Sequence, residues 1–206
     1  MIPLAVPNLR NGNEAKYLQE CIETTFVSSV GAFVNRFEEL VARASGCRHG
    51  VATSSGTTAL HLALMGLGVE HGDLVILPSF TFIASANAIA HCGATPWLLD
   101  VDLESWTLDP KLLARELESR TRVVDGRRVH TTTNQRVAAI MPVHTLGVVA
   151  NMDAIRATAR AFDLPVLADG ACAIGARYKG RALGEVADLT VFSFNGNKTV
   201  TAGAGG

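Results

Sequence analysis

Apolar positions along the chain follow two alternating spacings that predict an α/β fold. Residues 13–26 and 33–45 carry apolar side chains at the three- and four-residue spacing of amphipathic helices. From residue 50 onward, short apolar or β-branched runs alternate with helical stretches, as in successive βαβ units. The predicted strands are VATSS (51–55), LVILP (74–78), TPWLLDVD (95–102), VAAIMPVHT (137–145), PVLAD (165–169) and ADLTVFSF (187–194). We therefore expect a doubly wound, mostly parallel sheet.

Local turn and cap signals add detail to this pattern. Asp109 followed by Pro110 is the combination of N-cap and first-turn proline that begins a helix. Asp125 and Gly126 stand between β-branched runs, which predicts a two-residue hairpin turn within residues 121–135. The hairpin contains most of the basic cluster of the chain, and we expect it on the solvated surface. Because no Pro/Ser-rich linker interrupts the chain, a single domain over residues 1–206 is predicted.

Composition then narrows the class of protein. Hydrophobic residues make up 48% of the chain and charged residues 18%, which excludes disordered and collagen-like classes. The formal net charge of -1 gives no general attraction for nucleic acid or anionic lipid, so neither is expected as a partner. The apolar stretches are too short to cross a membrane. Four widely spaced cysteines, without a C-x-x-C pair or a secretory leader, favour a cytoplasmic protein.

Candidate chemistry lies directly after the predicted strands, because open α/β sheets bind ligands at the carboxyl ends of their strands. Gly56, Thr57 and Thr58 open a helix at such a point, where free backbone N–H groups and two hydroxyls could hold a phosphate. The alternative for these residues is the ordinary N-terminal cap of a strand-to-helix turn.

Two ionisable residues follow later strands. Asp169 ends PVLAD and places a carboxylate at the rim of the sheet, where it could pair with a buried cation or cap the next turn. Lys198 follows ADLTVFSF among small and polar residues that leave room around an amine. Burial would supply the neutral amine that condenses with an aldehyde. A solvated surface lysine is the alternative.

Aromatic and histidine side chains give weaker signals by themselves. Phe82 lies in an apolar helical run, which favours a place in the core. His144 follows a predicted strand, where a hydrogen-bonded structural role is more common than a catalytic one. The remaining histidines show no metal-ligand spacing, so no metal site is predicted.

Six ordered blocks of the chain together resemble the DegT/DnrJ/EryC1/StrS family of pyridoxal 5′-phosphate (PLP) dependent nucleotide-sugar aminotransferases, of aspartate-aminotransferase fold type I. The blocks are FVSSVGAFVNRFE, SSGTTALHLAL, LPSFTFIASANAIAHCGATPWLLDVD, MPVHTLG, VLADGACAIGA and FSFNGNKTVTAGAGG. The resemblance implies a PLP cofactor and a homodimer. It also implies transfer of an amino group from an amino acid, glutamate in the family, to a nucleotide-linked keto-sugar.

Carried over residue by residue, the resemblance implies a cofactor site. Lys198 corresponds to the lysine that binds PLP as a Schiff base, and Asp169 to the catalytic partner of the pyridine nitrogen. Phe82 corresponds to the aromatic ring that stacks on the cofactor. The phosphate would be held at the positions of Gly56, Thr57, Thr58 and Ser193.

Two departures from the family bear on this expectation. Cys172 stands where the family commonly has glutamine, histidine or glutamate, so a weaker contact to the cofactor hydroxyl is expected. Family members also continue past the glycine-rich segment into the rest of the large domain and a small C-terminal domain. The resemblance thus implies a PLP-binding large domain that is truncated at its C-terminal end and lacks the small domain. A non-catalytic fragment or interaction module that keeps the fold is the alternative to an active enzyme.

Overall fold

The computed structural model describes residues 6–8 and 11–206, which form alternating helices and strands. The helices are α1 (Glu14–Glu23), α2 (Ala32–Ser45), α3 (Gly56–Gly66), α4 (Ile83–His91), α5 (Pro110–Arg120) and α6 (Met152–Ala161). The strands are β1 (Leu74–Pro78), β2 (Thr95–Leu99), β3 (Thr121–Val124), β4 (Arg127–His130), β5 (Val137–Ile140), β6 (Leu167–Asp169), β7 (Arg177–Tyr178), β8 (Arg181–Ala182) and β9 (Leu189–Val191). The predicted α/β class is confirmed.

Five parallel strands form the centre of the fold, in the order β2, β1, β5, β6, β9. β1 pairs with β2 and β5, and β6 pairs with β9. Two single parallel bridges, from Ile140 to Val166 and from Val143 to Asp169, join the two groups of strands. The chain runs from β1 outward to β2 and then returns to the opposite side of β1. A crevice for ligands is expected where the direction reverses, at the carboxyl ends of β1 and β5.

Helices cover both faces of this sheet. Val75 and Leu77 of β1 belong to a buried cluster that includes side chains of α3 and α4. Leu74 and Ile76 belong to a second cluster, with side chains of α5 and α6. Since neighbouring residues of a strand point to opposite faces, β1 is buried on both sides and its sequence is continuously apolar. The predicted doubly wound arrangement is therefore confirmed.

The capping and hairpin predictions are confirmed in detail. The Oδ1 atom of Asp109 accepts hydrogen bonds from the backbone N–H groups of Lys111, at 2.8 Å, and Leu112, at 3.3 Å. β3 and β4 form an antiparallel hairpin around Asp125 and Gly126. Both turn residues have positive φ, 49° and 75°, as a two-residue type I′ turn requires.

The strand predicted at residues 51–55 is wrong. Ser55 forms only a single bridge, to Gly205, and Thr53 exchanges two backbone hydrogen bonds with Gly206. A cavity of about 840 Å³ is lined by this segment, by β9 and by α2 and α3. A run of β-favouring residues becomes a strand only where a neighbouring strand continues the hydrogen-bond ladder, and among the described residues this segment forms such bonds only with residues 205 and 206.

Several predicted elements are also longer than the observed ones. β2 ends at Leu99, β5 at Ile140 and β9 at Val191, because the backbone after each strand leaves the ladder. Within the described part of the chain, no helix is long and apolar enough to cross a membrane.

Candidate active site

Segments that follow different strands meet at the carboxyl end of the sheet, where the topology predicts the crevice for ligands. The bridge from Val143 to Asp169 brings the ends of β5 and β6 together. The beginning of α3 approaches the segment after β9 so closely that a Cβ atom on Gly56 would lie 2.8 Å from the Cβ of Ser193. The predicted phosphate, carboxylate and lysine segments are thus neighbours, although more than 100 residues separate the first from the last.

Asp169 is the buried carboxylate of this crevice, with a side chain 5% exposed. Its Oδ2 atom accepts a hydrogen bond from the Ser85 hydroxyl at 2.7 Å, and Oδ1 accepts one from the backbone N–H of Ala171 at 3.0 Å. Burial raises the pKa of Asp169, while these two hydrogen bonds and the charge of Lys198 act in the opposite direction. Within the described residues, Asp169 forms no ion pair, so its anionic form lacks a bonded cation.

Ser85 is a site residue that the sequence pattern did not single out. It lies fully buried in α4, and its hydroxyl contacts both Asp169 and, at 2.8 Å, the Thr81 hydroxyl. The sequence signal is weak: Ser85 is one of two polar residues, with Asn87, in the mostly apolar stretch before His91. Its partner Asp169 is 84 residues away, which no local pattern could indicate.

Lys198 is half-buried and points its amine at two other predicted site residues. Its Nζ atom lies 3.5 Å from the Sγ of Cys172 and 5.7 Å from the centroid of the Phe82 ring. The Phe82 side chain is 72% exposed, because the residue precedes α4 instead of packing inside it. The expectation that Phe82 belongs to the core, drawn from its apolar surroundings alone, is therefore wrong.

The beginning of α3 contains both an ordinary N-terminal cap and free donors that could hold a phosphate. Ser55 is the N-cap, since its Oγ atom accepts a hydrogen bond from the backbone N–H of Thr58. The Thr58 hydroxyl contacts the hydroxyls of Ser54 and Ser55. The Thr57 hydroxyl makes no hydrogen bond to any described residue, nor do the first two N–H groups of the helix. Donors therefore remain beside the buried Ser193 side chain.

His144 lies next to Asp169, and its contacts are those of a buried structural residue. Its side chain is 1% exposed, its Nδ1 atom accepts from the backbone N–H of Ala150, and its own backbone N–H donates to the carbonyl of Asp169. Burial lowers the pKa of His144 to about 4, so the ring is neutral near pH 7. Its Nε2 atom has no hydrogen-bond partner among the described residues.

The crevice has the groups that a PLP molecule requires. The buried Asp169 carboxylate suits a protonated pyridine nitrogen, and the exposed face of Phe82 suits a flat ring. Lys198 offers a primary amine to the aldehyde. The narrow approach of Gly56 to Ser193, which a Cβ would fill, leaves free donors for a phosphate. Within residues 6–8 and 11–206, no group of histidine, cysteine and acidic side chains is suited to hold a metal.

Comparison with known proteins gives a consistent assignment. The chain is 44% identical, over 205 residues, to the GDP-perosamine synthase of Caulobacter vibrioides; the match covers 100% of this chain and 51% of that protein. The structure of 3-amino-5-hydroxybenzoic acid synthase has 36% identity and a TM-score of 0.82, with coverage of 97% of this chain and 48% of that one.

A third structure, NtdA from Bacillus subtilis with the bound cofactor PMP, has 27% identity and a TM-score of 0.82. It is matched over 99% of this chain and 43% of that one. The chain spans about half the length of the curated relatives it matches. The sequence profile of one family matches residues 9–206, which is nearly the entire sequence. The protein accordingly belongs to the DegT/DnrJ/EryC1/StrS aminotransferase family.

Proposed function

We propose that this crevice binds PLP and that the protein serves the transfer of an amino group from an amino acid, glutamate by family resemblance, to a nucleotide-linked keto-sugar. The observation that carries the proposal is the convergence of Asp169, Lys198 and the Gly56–Ser193 cradle at one end of the sheet. The name of the Caulobacter relative, a GDP-perosamine synthase, supports a nucleotide-linked acceptor. The PMP bound to NtdA supports the cofactor.

PLP, when bound, supplies an aldehyde that condenses with amines and a ring that accepts the electron pair left when a substrate carbon loses a proton. Asp169 would maintain the proton on the pyridine nitrogen, because its anion is buried and has no other bonded cation. Ser85 and Ala171 would hold the carboxylate in place through their hydrogen bonds. Held in this way, Asp169 would act as the electrostatic partner of the ring.

Lys198 would first anchor the cofactor and then move a proton to and from the substrate. Its amine can act as a general base only in the neutral form and within hydrogen-bond reach of the reacting carbon. Phe82 would hold the ring from its exposed face. Gly56, Thr57, Thr58 and Ser193 would orient the phosphate. The Cys172 thiol, which lies 3.5 Å from the Lys198 amine, would contact the cofactor hydroxyl.

The partners of the protein are part of the same proposal. We infer a homodimer in the cytoplasm, where four free cysteines would remain reduced. Light scattering tests the dimer, and a monomer at micromolar concentration would contradict it. The second candidate is a fragment that retains the fold without catalysis, since the chain spans about half the length of its relatives.

Cofactor attachment can be tested directly by reduction. We expect PLP to colour the purified protein yellow, and borohydride to fix the cofactor to the peptide that contains Lys198. Lys198→Ala should abolish this label. Lys179→Ala is the matched control, since Lys179 is an exposed lysine paired with Asp153, and it should leave the label in place. A label distributed over several lysines, or none, would reject the assignment of Lys198.

The role of Asp169 calls for a kinetic test. Asp169→Asn should still bind PLP but slow the single-turnover reaction with an amino donor by on the order of 10²-fold, because the ring loses its anionic partner. Asp153→Asn, at an exposed ion pair, should leave this rate unchanged. Equal rates for Asp169→Asn and the unsubstituted protein would refute the proposed role.

A further inference from the structure

Cys172 and Lys198 form a close pair of nucleophilic side chains that the proposed reaction does not require as a pair. We propose that this pair is an oxidative modification site: a peroxide oxidises Cys172 to a sulfenic acid, and the Lys198 amine then condenses with it to form a covalent S–N bond. The cross-link itself rests on the geometry of the two side chains. Its consequence for cofactor loading rests on the proposed function.

The geometry holds the two atoms close to reacting distance. The Nζ atom of Lys198 lies 3.5 Å from the Sγ of Cys172. Cys172 lies within a turn in which the backbone N–H of Ala173 donates to the carbonyl of Gly170, and the backbone N–H of Lys198 donates to the carbonyl of Asn195. Hydrogen-bonded turns therefore hold both backbones, and side-chain rotation is the movement that brings sulfur and nitrogen into bonding contact.

The surroundings favour the amine over other reaction partners. Both side chains are half-buried, so a small peroxide can reach the sulfur while bulky thiols are hindered. Cys21, Cys47 and Cys92 are also free cysteines, and no disulfide forms among the described residues. Within the part of the chain that the structure describes, the Cys172 sulfur contacts the Lys198 amine, and no disulfide reaches it. Since a sulfenic acid can condense with a backbone nitrogen, a primary amine at this distance is a suitable partner.

The reaction balances with hydrogen peroxide as the only added oxidant. In the first step the peroxide O–O bond breaks, the sulfur is oxidised by two electrons, and one water leaves. In the second step the nitrogen lone pair attacks sulfur, the S–N bond forms and the S–O bond breaks. The hydroxyl leaves as a second water with a proton from the amine. The product lacks two hydrogen atoms relative to the reduced chain, and an added dithiol restores thiol and amine while it is itself oxidised to a disulfide.

The cross-link and PLP would compete for the same nitrogen. An amine bonded to sulfur cannot condense with the PLP aldehyde, and a nitrogen held in a double bond to the cofactor would no longer be the primary amine that releases a proton when the S–N bond forms. Oxidation of the cofactor-free protein would thus prevent loading until a reductant acts. The oxidation state of Cys172 would therefore control whether Lys198 is free to anchor the cofactor.

Peptide mass mapping after peroxide treatment tests the proposal. In the cofactor-free protein we expect a linked pair of peptides containing Cys172 and Lys198, with a mass two hydrogen atoms below their sum. Dithiothreitol should reverse the link, and prior loading with PLP should reduce its yield at least several-fold. Cys172→Ser and Lys198→Arg should each abolish it. Cys47→Ser, at a cysteine that lines the cavity beside β9, should retain the full yield.

Each result separates this inference from the proposed function. Sulfenic or sulfinic acid at Cys172 without a link to Lys198, in the unsubstituted cofactor-free protein, would overturn the inference whether or not the variants fold. Borohydride labelling of Lys198 in the PLP-loaded protein, together with no cross-link in the cofactor-free protein after peroxide, would likewise overturn it and leave the cofactor site intact. A cross-link in a protein that PLP never labels would support the inference and reject the proposed cofactor site.

Discussion

Burial shifts the pKa values of the ionisable side chains in the crevice. Asp169 and His144 are both enclosed, and burial disfavours the charged form of each, so it raises the pKa of the acid and lowers that of the base. Asp169 receives hydrogen bonds that act against this effect, whereas the Nε2 atom of His144 has no partner within the described part of the chain. Two donors therefore stabilise the charged form of Asp169, although burial still raises its pKa overall.

A substitution at Ser85 tests how strongly its hydroxyl supports that charge. Ser85→Ala removes the donor at 2.7 Å from Oδ2 of Asp169. Because a buried carboxylate oxygen then lacks this donor, we expect the free energy of unfolding at pH 7 to fall by about 1–3 kcal/mol in urea denaturation. In an Asp169→Asn background the loss should be smaller, since a neutral amide accepts more weakly. Equal losses in the two backgrounds would show that Ser85 does not act through the carboxylate.

At the scale of elements, the ends of helices position the site. α3 begins with Ser55 as its cap and continues into the glycine that approaches Ser193. α5 begins with Asp109 and Pro110. Both caps satisfy N–H groups that the helix itself cannot pair, so each fixes the direction in which a helix leaves the preceding segment.

Two glycines of α3 allow the effect of close packing to be measured apart from the effect of helix propensity. Gly56→Ala would place a methyl group 2.8 Å from the Cβ of Ser193, whereas Gly66 has open space at that position. We expect Gly56→Ala to destabilise the fold and to weaken PLP binding at least tenfold, measured by absorbance titration. Gly66→Ala should instead stabilise by about 0.4–1 kcal/mol and leave binding unchanged. Unchanged PLP affinity in Gly56→Ala would exclude this turn from the phosphate site.

The cap of α5 provides a test independent of the crevice. Asp109→Ala removes the acceptor for the N–H groups of Lys111 and Leu112. Thermal or urea unfolding should show a loss of about 0.5–2 kcal/mol. Glu118→Ala, on the exposed side of the same helix, is the control and should change stability by less than about 0.5 kcal/mol. Similar effects of the two substitutions would mean that the cap contributes nothing specific.

For the whole molecule, two of the buried ionisable groups, His144 and Asp169, give stability an opposing dependence on pH. His144 has a pKa of about 4 when folded against an ordinary 6.5, so its contribution is complete above pH 6.5 and is lost as the pH falls towards 4. Asp169 has a raised pKa when folded, so its contribution is complete below the ordinary value of 3.8 and is lost as the pH rises.

Urea denaturation between pH 7 and pH 4.5 can resolve these two contributions in the cofactor-free protein. The His144 contribution corresponds to a loss of about 2 kcal/mol between pH 7 and pH 5. His144→Gln should remove this loss and flatten the curve. Asp169→Asn should make the fall towards low pH steeper, because the opposing gain disappears. A curve for His144→Gln that is parallel to that of the unsubstituted protein would contradict the neutral buried histidine.

The amino-acid sequence by itself determined the class of fold and most individual elements. Continuous apolar runs such as LVILP specify strands buried on both faces, and alternation with helical segments specifies a parallel sheet. The Asp109 cap and the Asp125–Gly126 turn were also readable, because the interactions that form them lie within four residues along the chain. The family blocks extended this to the site residues, whose roles remain predictions, as does the single domain over residues 1–206.

Only the tertiary structure decided which distant groups meet. The run at residues 51–55 has the composition of a strand, yet its state depends on a neighbour that local sequence does not encode. Phe82 is exposed, Ser85 bonds to Asp169 and Cys172 lies beside Lys198 because helices and strands far apart in sequence pack around one crevice. Local sequence patterns reflect interactions between residues that are close together along the chain. Burial, pKa and contact between remote side chains arise only when the elements pack.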